Sequence, residues 1–362
     1  MFRRLFGLGV VFVVSGNALA SPLYKGMSYT AWSQNAYSSV PSDQSLASMR
    51  LAGVDTVSIN VWEFQSTINS TAIAPRYDLY SASPASVRHA IQTAKSLGMK
   101  VMVKPNVDLS NDASHWRGDI NPSAAWFTSY NSFIGRWADV AQQEGADILS
   151  IGCELVTAQT WASNWTGVAS LARSKFNGKL TYSANCYSEQ NVSWWNSVDI
   201  IGIDAYYQLT SSQNATLADL KAAWGTRADS IGAWRSASWS SMPVMFTEVG
   251  YRSTNGANTQ PWAWSGDHGL NLQEQSNCYE ALLSTMWNRS WWQGAFWWNW
   301  ETDPNAGGLN DQGYTPQGKP ALDILKNYYA PVPEPSTVLI VIPLLVFLQV
   351  NLRGFLVLFA RN

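Results

Sequence analysis

The stretch Ile148-Leu149-Ser150-Ile151-Gly152-Cys153-Glu154 is an apolar run that ends abruptly in one acidic residue. A second stretch, Pro243-Val244-Met245-Phe246-Thr247-Glu248, has the same form. Short apolar runs of this length predict strands, and runs without polar alternation are typical of parallel sheets covered on both faces. Both stretches therefore predict buried parallel strands that each end in a glutamate.

Six other short β-branched or apolar runs accompany these two, and helical stretches alternate with them. The eight predicted strands are Gly26–Tyr29, Thr56–Trp62, Lys100–Lys104, Ile148–Cys153, Leu180–Ala184, Ile200–Ala205, Val244–Glu248 and Gly294–Trp298. The clearest predicted helices are Pro84–Leu97, Asn121–Glu144, Ser163–Ser174, Leu217–Trp234, Leu272–Trp287 and Ala321–Tyr328.

Eight strands joined by helical crossovers predict an α/β protein with a parallel sheet, either a closed (β/α)8 TIM barrel or an open doubly wound sheet. An open nucleotide-binding sheet would carry a glycine-rich turn after its first strand. The stretch Met27-Ser28-Tyr29-Thr30-Ala31-Trp32 has no such turn. We therefore predict a (β/α)8 TIM barrel that forms a single catalytic domain over residues 21–330.

Charge and composition exclude several classes of protein. The 362 residues carry a formal net charge of −2 and only 13% of them are charged, so the chain lacks an electrostatic footprint for nucleic acid. No Cys/His cluster has zinc spacing, and we expect neither a metal nor a cofactor. Three cysteines, Cys153, Cys186 and Cys278, are too few for a disulfide scaffold, and whether two of them pair is left open.

The amino terminus predicts a signal peptide over residues 1–20. Arg3 and Arg4 supply a positive region, an apolar run extends from Leu5 to Val14, and Ala18-Leu19-Ala20 is a small-x-small cleavage site. A membrane-spanning helix needs about 20 apolar residues, and this run is shorter.

The carboxyl terminus predicts a sorting or transmembrane tail over residues 331–362. Pro333-Glu334-Pro335, the apolar run from Thr337 to Leu348 and a basic end resemble the bacterial PEP-CTERM sorting signal, although Arg353 lies inside the apolar stretch. A plain membrane anchor is the alternative. Both interpretations predict an exported, extracellular or cell-surface protein, transiently anchored by its tail, with the export and sorting machinery as partners. We expect a monomer.

Aromatic residues are unusually abundant, with 20 tryptophans and 15 tyrosines. Because aromatic side chains bury large areas, a heavily packed core is one interpretation. Several nevertheless lie in loop-like contexts, namely Trp116, Trp262, Trp264 and the Trp194-Trp195 pair. Sugar rings present apolar C–H faces that stack on exposed aromatics, so this pattern favours a glycan-binding surface.

Catalytic side chains of a TIM barrel lie at the carboxyl ends of its strands. Glu154 and Glu248 would occupy these ends on strands four and seven, on opposite sides of the barrel mouth. Structural carboxylates paired with Arg or Lys are the alternative. Glycoside hydrolysis needs such a pair, one as acid and the other as nucleophile or base. A carboxyl separation of about 5–5.5 Å would mean retention of anomeric configuration, and about 6.5–9.5 Å inversion.

Several motifs, in order and at barrel spacing, resemble glycoside hydrolase family 113, the barrel β-mannanases of clan A. They cover nearly all of the chain from Lys25 to Tyr329. They are Lys25-Gly26-Met27-Ser28, Val103-Lys104-Pro105-Asn106-Val107-Asp108, Trp116-Arg117-Gly118-Asp119-Ile120, Ile151-Gly152-Cys153-Glu154-Leu155, Ile201-Gly202-Ile203-Asp204-Ala205-Tyr206-Tyr207, Phe246-Thr247-Glu248-Val249-Gly250-Tyr251 and Phe296-Trp297-Trp298-Asn299-Trp300.

The resemblance implies that Glu154 is the general acid/base and Glu248 the nucleophile of a retaining mechanism. It also implies that Tyr206 hydrogen-bonds the nucleophile or the adjacent sugar hydroxyl. Trp298 would form the stacking platform under the sugar at the point of cleavage. Further candidate substrate contacts are Lys104, Asn106, Trp116, Arg117, Asn185 and Trp62. An ion pair is the alternative for Lys104 and Arg117, and a packed loop aromatic for Trp116.

Two departures from the family pattern concern sugar recognition. Many clan A enzymes carry Asn before the acid/base, where it holds the sugar 2-hydroxyl; here Cys153 takes that place, and a thiol is a poor donor. Asn185 is the candidate replacement. The family's third strand often ends in Lys-Pro-His, and Asn106 replaces that histidine.

The expected activity is that of an endo-β-1,4-mannanase, with mannan or a related β-glycan as the polysaccharide substrate. The alternatives are a β-glucanase, an exo-acting mannosidase, or a barrel that binds glycan without catalysis, since fold alone does not prove activity.

Overall fold

The computed structural model describes residues 22–330. The predicted signal peptide over residues 1–20 and the predicted sorting tail over residues 331–362 lie outside the described residues. Within 22–330, no helix is both long enough and apolar enough to cross a membrane.

Eight parallel strands close into one barrel in sequence order, which confirms the predicted (β/α)8 fold. The strands are β1 (Tyr24–Thr30), β2 (Thr56–Gln65), β3 (Lys100–Leu109), β4 (Ile148–Cys153), β5 (Lys179–Asn185), β6 (Ile200–Asp204), β7 (Val244–Val249) and β8 (Trp292–Glu301). Each strand pairs with the next in the chain, and β8 pairs with β1 to close the barrel.

Seven α-helices of the described chain cover the outside of the barrel. They are α1 (Val40–Leu51), α2 (Pro84–Ser96), α3 (Ala124–Gln143), α4 (Ala162–Lys175), α5 (Leu217–Ser238), α6 (Leu272–Met286) and α7 (Pro320–Tyr329). All but α1 were predicted. Helix α1 buries Ser42, Ser45, Leu46 and Met49. Half of its inward face is therefore serine, so the apolar periodicity that signals a helix is weak there.

Side chains cap the starts of several helices and so fix where each crossover returns to the barrel. Ser83 and Ser123 accept hydrogen bonds from backbone N–H groups in the first turns of α2 and α3. Thr216 and Asp219 form a reciprocal capping box at the start of α5. Each such cap contributes about 1 kcal/mol to stability.

The barrel interior changes from apolar to polar along its axis. At the amino ends of the strands, one buried cluster contains Tyr24, Met102, Ile148, Ile200, Met245 and Phe296. Alternate residues of a strand share a face. The inward residues further along are therefore Lys104 and Asn106 on β3 and Asp204 on β6, all of them buried. The apolar cluster closes one end of the barrel, and the charged groups lie at the other.

Candidate active site

Lys104 lies at the centre of the polar layer and has no exposed surface. Its ammonium donates to both carboxylate oxygens of Asp204, at 3.2 and 3.0 Å, and to Oε1 of Glu248. Although burial alone would lower the pKa of Lys104, the charges of Asp204 and Glu248 raise it above its ordinary value. Lys104 thus forms the ion pair that the sequence analysis gave as the alternative to a substrate contact.

Asp204 connects the ends of four strands. Besides Lys104 on β3, its Oδ1 accepts from the hydroxyl of Thr247 on β7 at 2.7 Å. Its Oδ2 accepts from the thiol of Cys153 on β4 at 3.3 Å. A fully buried carboxylate is stable when it is paired and hydrogen-bonded in this way. Asp204 therefore holds the cation beside Glu248 in a fixed position.

Glu248 reaches the barrel mouth because the pairing of β6 with β7 is irregular. The register of the two strands shifts just before Asp204 pairs with Glu248, and such a bulge re-aims the side chains that follow it. Oε2 of Glu248 accepts from the Tyr206 hydroxyl at 2.8 Å. Burial raises the pKa of Glu248 above its ordinary value, while the Lys104 ammonium opposes that shift by stabilising the carboxylate.

Glu154 directly follows β4 and has a left-handed backbone, with φ 55°. A non-glycine residue in this region costs on the order of 1–3 kcal/mol, and strain of this kind is concentrated at functional sites. Burial and the charge of Asp204 raise the pKa of Glu154 to about 8, and the Arg117 guanidinium opposes them. The carboxyl group of Glu154 is therefore mostly protonated at neutral pH.

Arg117 lies on the side of the site next to Glu154. Its Nε and Nη2 donate to the two carboxylate oxygens of Asp108, at 2.8 and 3.0 Å, in a two-pronged ion pair. Its Nη1 lies 3.5 Å from Oε2 of Glu154 and 3.4 Å from both Oδ1 of Asn106 and Sγ of Cys153. Arg117 thus places a fixed positive charge beside one carboxyl group, as Lys104 does beside the other.

An aromatic wall borders the site at the ends of β8 and β2. Trp298 is half-buried and close to the end of β7, since a Cβ added at Gly250 would lie 2.6 Å from its carbonyl oxygen. The ring of Trp62 meets that of Trp298 edge-on, with centroids 6.4 Å apart. A protonated carboxyl, an ionisable carboxyl and an aromatic wall therefore share one open end of the barrel.

The sequence pattern of glycoside hydrolase family 113 matches residues 27–319. The chain belongs to this family. Among solved structures, a GH113 β-1,4-mannanase is 27% identical, with a TM-score of 0.76, and the match covers 85% of this chain and 99% of that one. The GH113 β-mannanase AaManA from Alicyclobacillus acidocaldarius, solved in complex with ManMIm, is 25% identical, with a TM-score of 0.76 and coverage of 86% and 99%.

A more distant structure shares only the fold. The endoglucanase Cel5A from Pseudomonas stutzeri is 12% identical, with a TM-score of 0.56 and coverage of 86% of this chain and 97% of that one. No protein of curated function matches the chain. Membership of family 113 makes the protein a glycoside hydrolase, in agreement with the prediction from the sequence.

The remaining residues predicted as substrate contacts of this family 113 member lie in different surroundings. Asn106 is buried and its amide donates to the backbone carbonyls of Val61 and Lys104, so it supports the strands around the site. Trp116 is exposed and precedes Arg117. Asn185 is half-buried at the end of β5, in register with Asp204.

All three cysteines lie within the described residues, are buried and form no disulfide. This resolves the pairing that the sequence left open. Burial raises the pKa of Cys153 well above its ordinary value. Its sulfur therefore acts as a neutral thiol that donates weakly to Asp204.

Cys153, Asp204 and Glu248 have the spacing of a possible metal site, with one ligand atom from each within 4.8 Å of the others. The Lys104 ammonium already contacts both carboxylates of that group. A metal ion would have to displace this cation, so the chain itself supplies the positive charge that the cluster needs.

Sequence reasoning missed Asp204, Thr247 and Asp108 as parts of the site. A usable signal existed for Asp204, because Ile200, Gly202 and Asp204 share one face of a strand by alternation. That pattern places a carboxylate on the inward face. The partner of the carboxylate could not be read from the sequence.

Proposed function

We propose that the protein is a retaining endo-β-1,4-mannanase, with Glu248 as nucleophile and Glu154 as general acid/base. The observation that carries the proposal is the contrast between the two carboxyl groups. Burial raises the pKa of both groups, that of Glu154 to about 8. Only Glu248 accepts hydrogen bonds from an ammonium and a hydroxyl, those of Lys104 and Tyr206, and both stabilise its ionised form. A proton donor beside an ionised carboxylate is what this chemistry requires.

In the first step the carboxylate of Glu248 attacks the anomeric carbon, and the bond from that carbon to the glycosidic oxygen breaks. Glu154 gives its proton to the departing oxygen. In the second step Glu154, now ionised, takes a proton from water as that water attacks the anomeric carbon and releases Glu248. Two inversions at one carbon give net retention.

Lys104 and Tyr206 orient the nucleophile through both of its oxygens. Glu248 loses its negative charge when it forms the glycosyl ester. The Lys104 ammonium keeps its contacts with Asp204 at 3.0 and 3.2 Å, so the cation stays paired throughout the cycle. This arrangement avoids an uncompensated buried charge in the intermediate.

A β-1,4-mannan substrate is supported by the two solved relatives described as β-1,4-mannanase and β-mannanase. Trp298 is suited to stack under the sugar at the cleavage point. Trp116 and Arg117, on the side of Glu154, are candidate contacts for the leaving part of the chain. Arg117 and Asn185 offer N–H donors for the 2-hydroxyl that Cys153 cannot hold strongly.

The experiment that tests the substrate and the mode of action is product analysis of the mature chain on mannan, glucomannan and cellulose. We expect mannan to be cut into oligosaccharides of mixed length, with the β-anomer formed first in an NMR time course. Release of single mannose units would instead indicate exo action. Cleavage of cellulose but not mannan would indicate a β-glucanase, and early α-anomer would contradict retention.

Glu248→Ala is expected to abolish hydrolysis. Glu154→Ala is expected to be partly rescued by azide on a substrate with a good leaving group, since azide can attack the glycosyl intermediate without base assistance. The control is Glu63→Gln, because Glu63 is equally buried but pairs with Arg136 and Trp137 on the outer side of β2. Full activity of either alanine variant would overturn the proposed roles. Absence of hydrolysis by the wild-type protein would support the non-catalytic alternative.

We further propose that the protein is exported and that its tail is a sorting signal or a membrane anchor. The support is the charge and hydropathy pattern of residues 1–20 and 331–362. Mass spectrometry of the native protein tests this proposal. We expect a mature amino terminus near Ser21, and a retained residue 1 would contradict it.

A further inference from the structure

Trp32 is a surface tryptophan whose orientation is fixed by its neighbours. It lies two residues beyond the end of β1, and the residue is 46% exposed. Its ring stacks on the ring of Trp62, with centroids 5.2 Å apart and an angle of 29° between the planes. Tyr80 meets both rings edge-on, at 5.8 and 5.7 Å. One face of the Trp32 indole is therefore packed against protein, and much of its remaining surface is open.

The stack is continuous with the aromatic wall of the active site. Trp62 is buried between Trp32 on its outer side and Trp298, whose ring lies 6.4 Å away. The series Trp298, Trp62, Trp32 thus extends from beside the proposed nucleophile to the surface. Strands β8, β1 and β2, which carry this series, lie in the longer arc between β7 and β4, so the aromatic path leads away from the two glutamates.

The carboxylate of Glu301 fixes Trp32, the outermost of these three tryptophans. The indole Nε1 of Trp32 donates to Oε2 of Glu301 at 2.9 Å. Oε1 of Glu301 accepts from the side-chain amide of Asn299 at 2.8 Å. A carboxylate has about four acceptor positions, and Glu301 is only partly buried. An apolar ring face and free acceptors side by side match the apolar C–H face and the hydroxyls of a sugar ring.

We infer that Trp32 and Glu301, supported from behind by Trp62, form an outer sugar subsite. Its ligand is a pyranose unit of the same β-1,4-linked polysaccharide, at least one unit beyond the sugar on Trp298. This inference rests on the proposed function for the identity of the polysaccharide. Because stacking and the hydrogen bond fix the indole in advance, a sugar binds there at little cost in side-chain order.

The test compares substrates that do and do not reach the outer subsite. For Trp32→Ala, the ratio of kcat/KM on mannohexaose to kcat/KM on mannotriose is expected to fall about tenfold, the effect of losing one aromatic stacking contact. Glu301→Gln keeps the shape but weakens acceptance from hydroxyls, and a smaller fall in the same ratio is expected. An unchanged ratio in both variants would overturn the inference.

Trp161→Ala is the matched control, because Trp161 is 41% exposed but its ring contacts Phe127 of α3. It should leave the ratio unchanged. A fall as large as that of Trp32→Ala would also overturn the inference, since it would show that any exposed tryptophan matters.

A binding experiment separates this inference from the proposed function. Titration of mannohexaose and cellohexaose is followed by calorimetry in the Glu154→Gln background, with and without Trp32→Ala. About tenfold weaker binding of either hexasaccharide on loss of Trp32 supports the subsite, even if the wild-type protein hydrolyses neither sugar. Unchanged binding of both sugars overturns the subsite, even if the protein proves to be a mannanase.

Discussion

At Glu154, burial and the Asp204 carboxylate act against the Arg117 guanidinium, and together they set the pKa of the proposed acid. The acid must be protonated in the first step, so kcat/KM is expected to fall as the pH rises through about 8. Since Arg117 lowers the pKa of Glu154, its removal in Arg117→Gln should raise that pKa and move the alkaline limb to higher pH.

The measurement is the pH profile of kcat/KM for the wild-type protein, Arg117→Gln and Arg117→Lys. Lysine keeps the positive charge and should move the limb less. A limb that stays in place, or moves to lower pH, in Arg117→Gln would contradict the assignment of Glu154 as the titrating acid.

The ion pair between Lys104 and Asp204 is expected to contribute to stability as well as to the site. Lys104→Met leaves Asp204 and Glu248 buried without a countercharge, so we expect the free energy of unfolding at pH 7 to fall by about 3–5 kcal/mol. Asp204→Asn removes one of the two negative charges. The double variant should therefore lose less than the sum of the two single losses.

Urea unfolding of the four proteins in this cycle measures the coupling between Lys104 and Asp204. In parallel, the acid limb of kcat/KM should move to higher pH in Lys104→Met, because Glu248, the proposed nucleophile, loses the cation that lowers its pKa. Additive losses together with an unmoved acid limb would contradict the proposed role of Lys104.

Among the elements, the pairing of β8 with β1 closes the barrel and depends on Gly294. Its φ is 132°, and a Cβ added there would lie 1.9 Å from the carbonyl oxygen of Tyr24. Gly294→Ala should therefore push β8 away from β1 and lower the free energy of unfolding by at least about 2 kcal/mol.

Thermal and urea unfolding check this prediction, with Gly225→Ala as the control. Gly225 lies within α5, and a Cβ there meets no atom within 4 Å. Alanine should be neutral or stabilising there, by up to about 1 kcal/mol. Equal stabilities for the two variants would show that the closure tolerates a side chain.

The pairing of the strands is irregular at two places near the barrel mouth. The register shifts between β4 and β5 just before Cys153, and between β6 and β7 just before Glu248. Regular alternation would place neighbouring residues on opposite faces. The bulges let Cys153, Glu154, Thr247 and Glu248 all contribute to one site at the barrel mouth.

For the whole molecule, the fold is expected to end at α7. The Lys25 ammonium donates to the carbonyl of Tyr329 at 3.0 Å, and the Trp297 indole donates to the Tyr329 hydroxyl at 3.1 Å. A chain that ends at residue 330 should keep its melting temperature and its activity. A chain that ends at residue 319 loses α7, exposes the surface beneath it and should unfold at a lower temperature.

Differential scanning calorimetry and mannan hydrolysis of both truncated chains make this comparison. Loss of folding in the chain that ends at residue 330 would show that residues 331–362 are part of the catalytic domain. That result would contradict the predicted domain boundary.

The sequence by itself determined the order of strands and helices, the barrel, and the positions of Glu154 and Glu248 at strand ends. These features follow from local patterns, because the face on which a side chain lies repeats every two residues in a strand. Helix α1 was missed because its own local pattern is weak: half of the residues on its inward face are serines.

Only the tertiary structure decided which side chains far apart in the sequence come into contact. Lys104 and Asp204 are 100 positions apart in the chain, and Trp32 and Glu301 are 269 apart. Closure of the barrel brings them into contact, and the bulges set the direction of the two glutamates. The ionisation of a carboxyl group depends on burial and on charges within a few ångströms, so the proposed division of roles between Glu154 and Glu248 depends on the folded barrel.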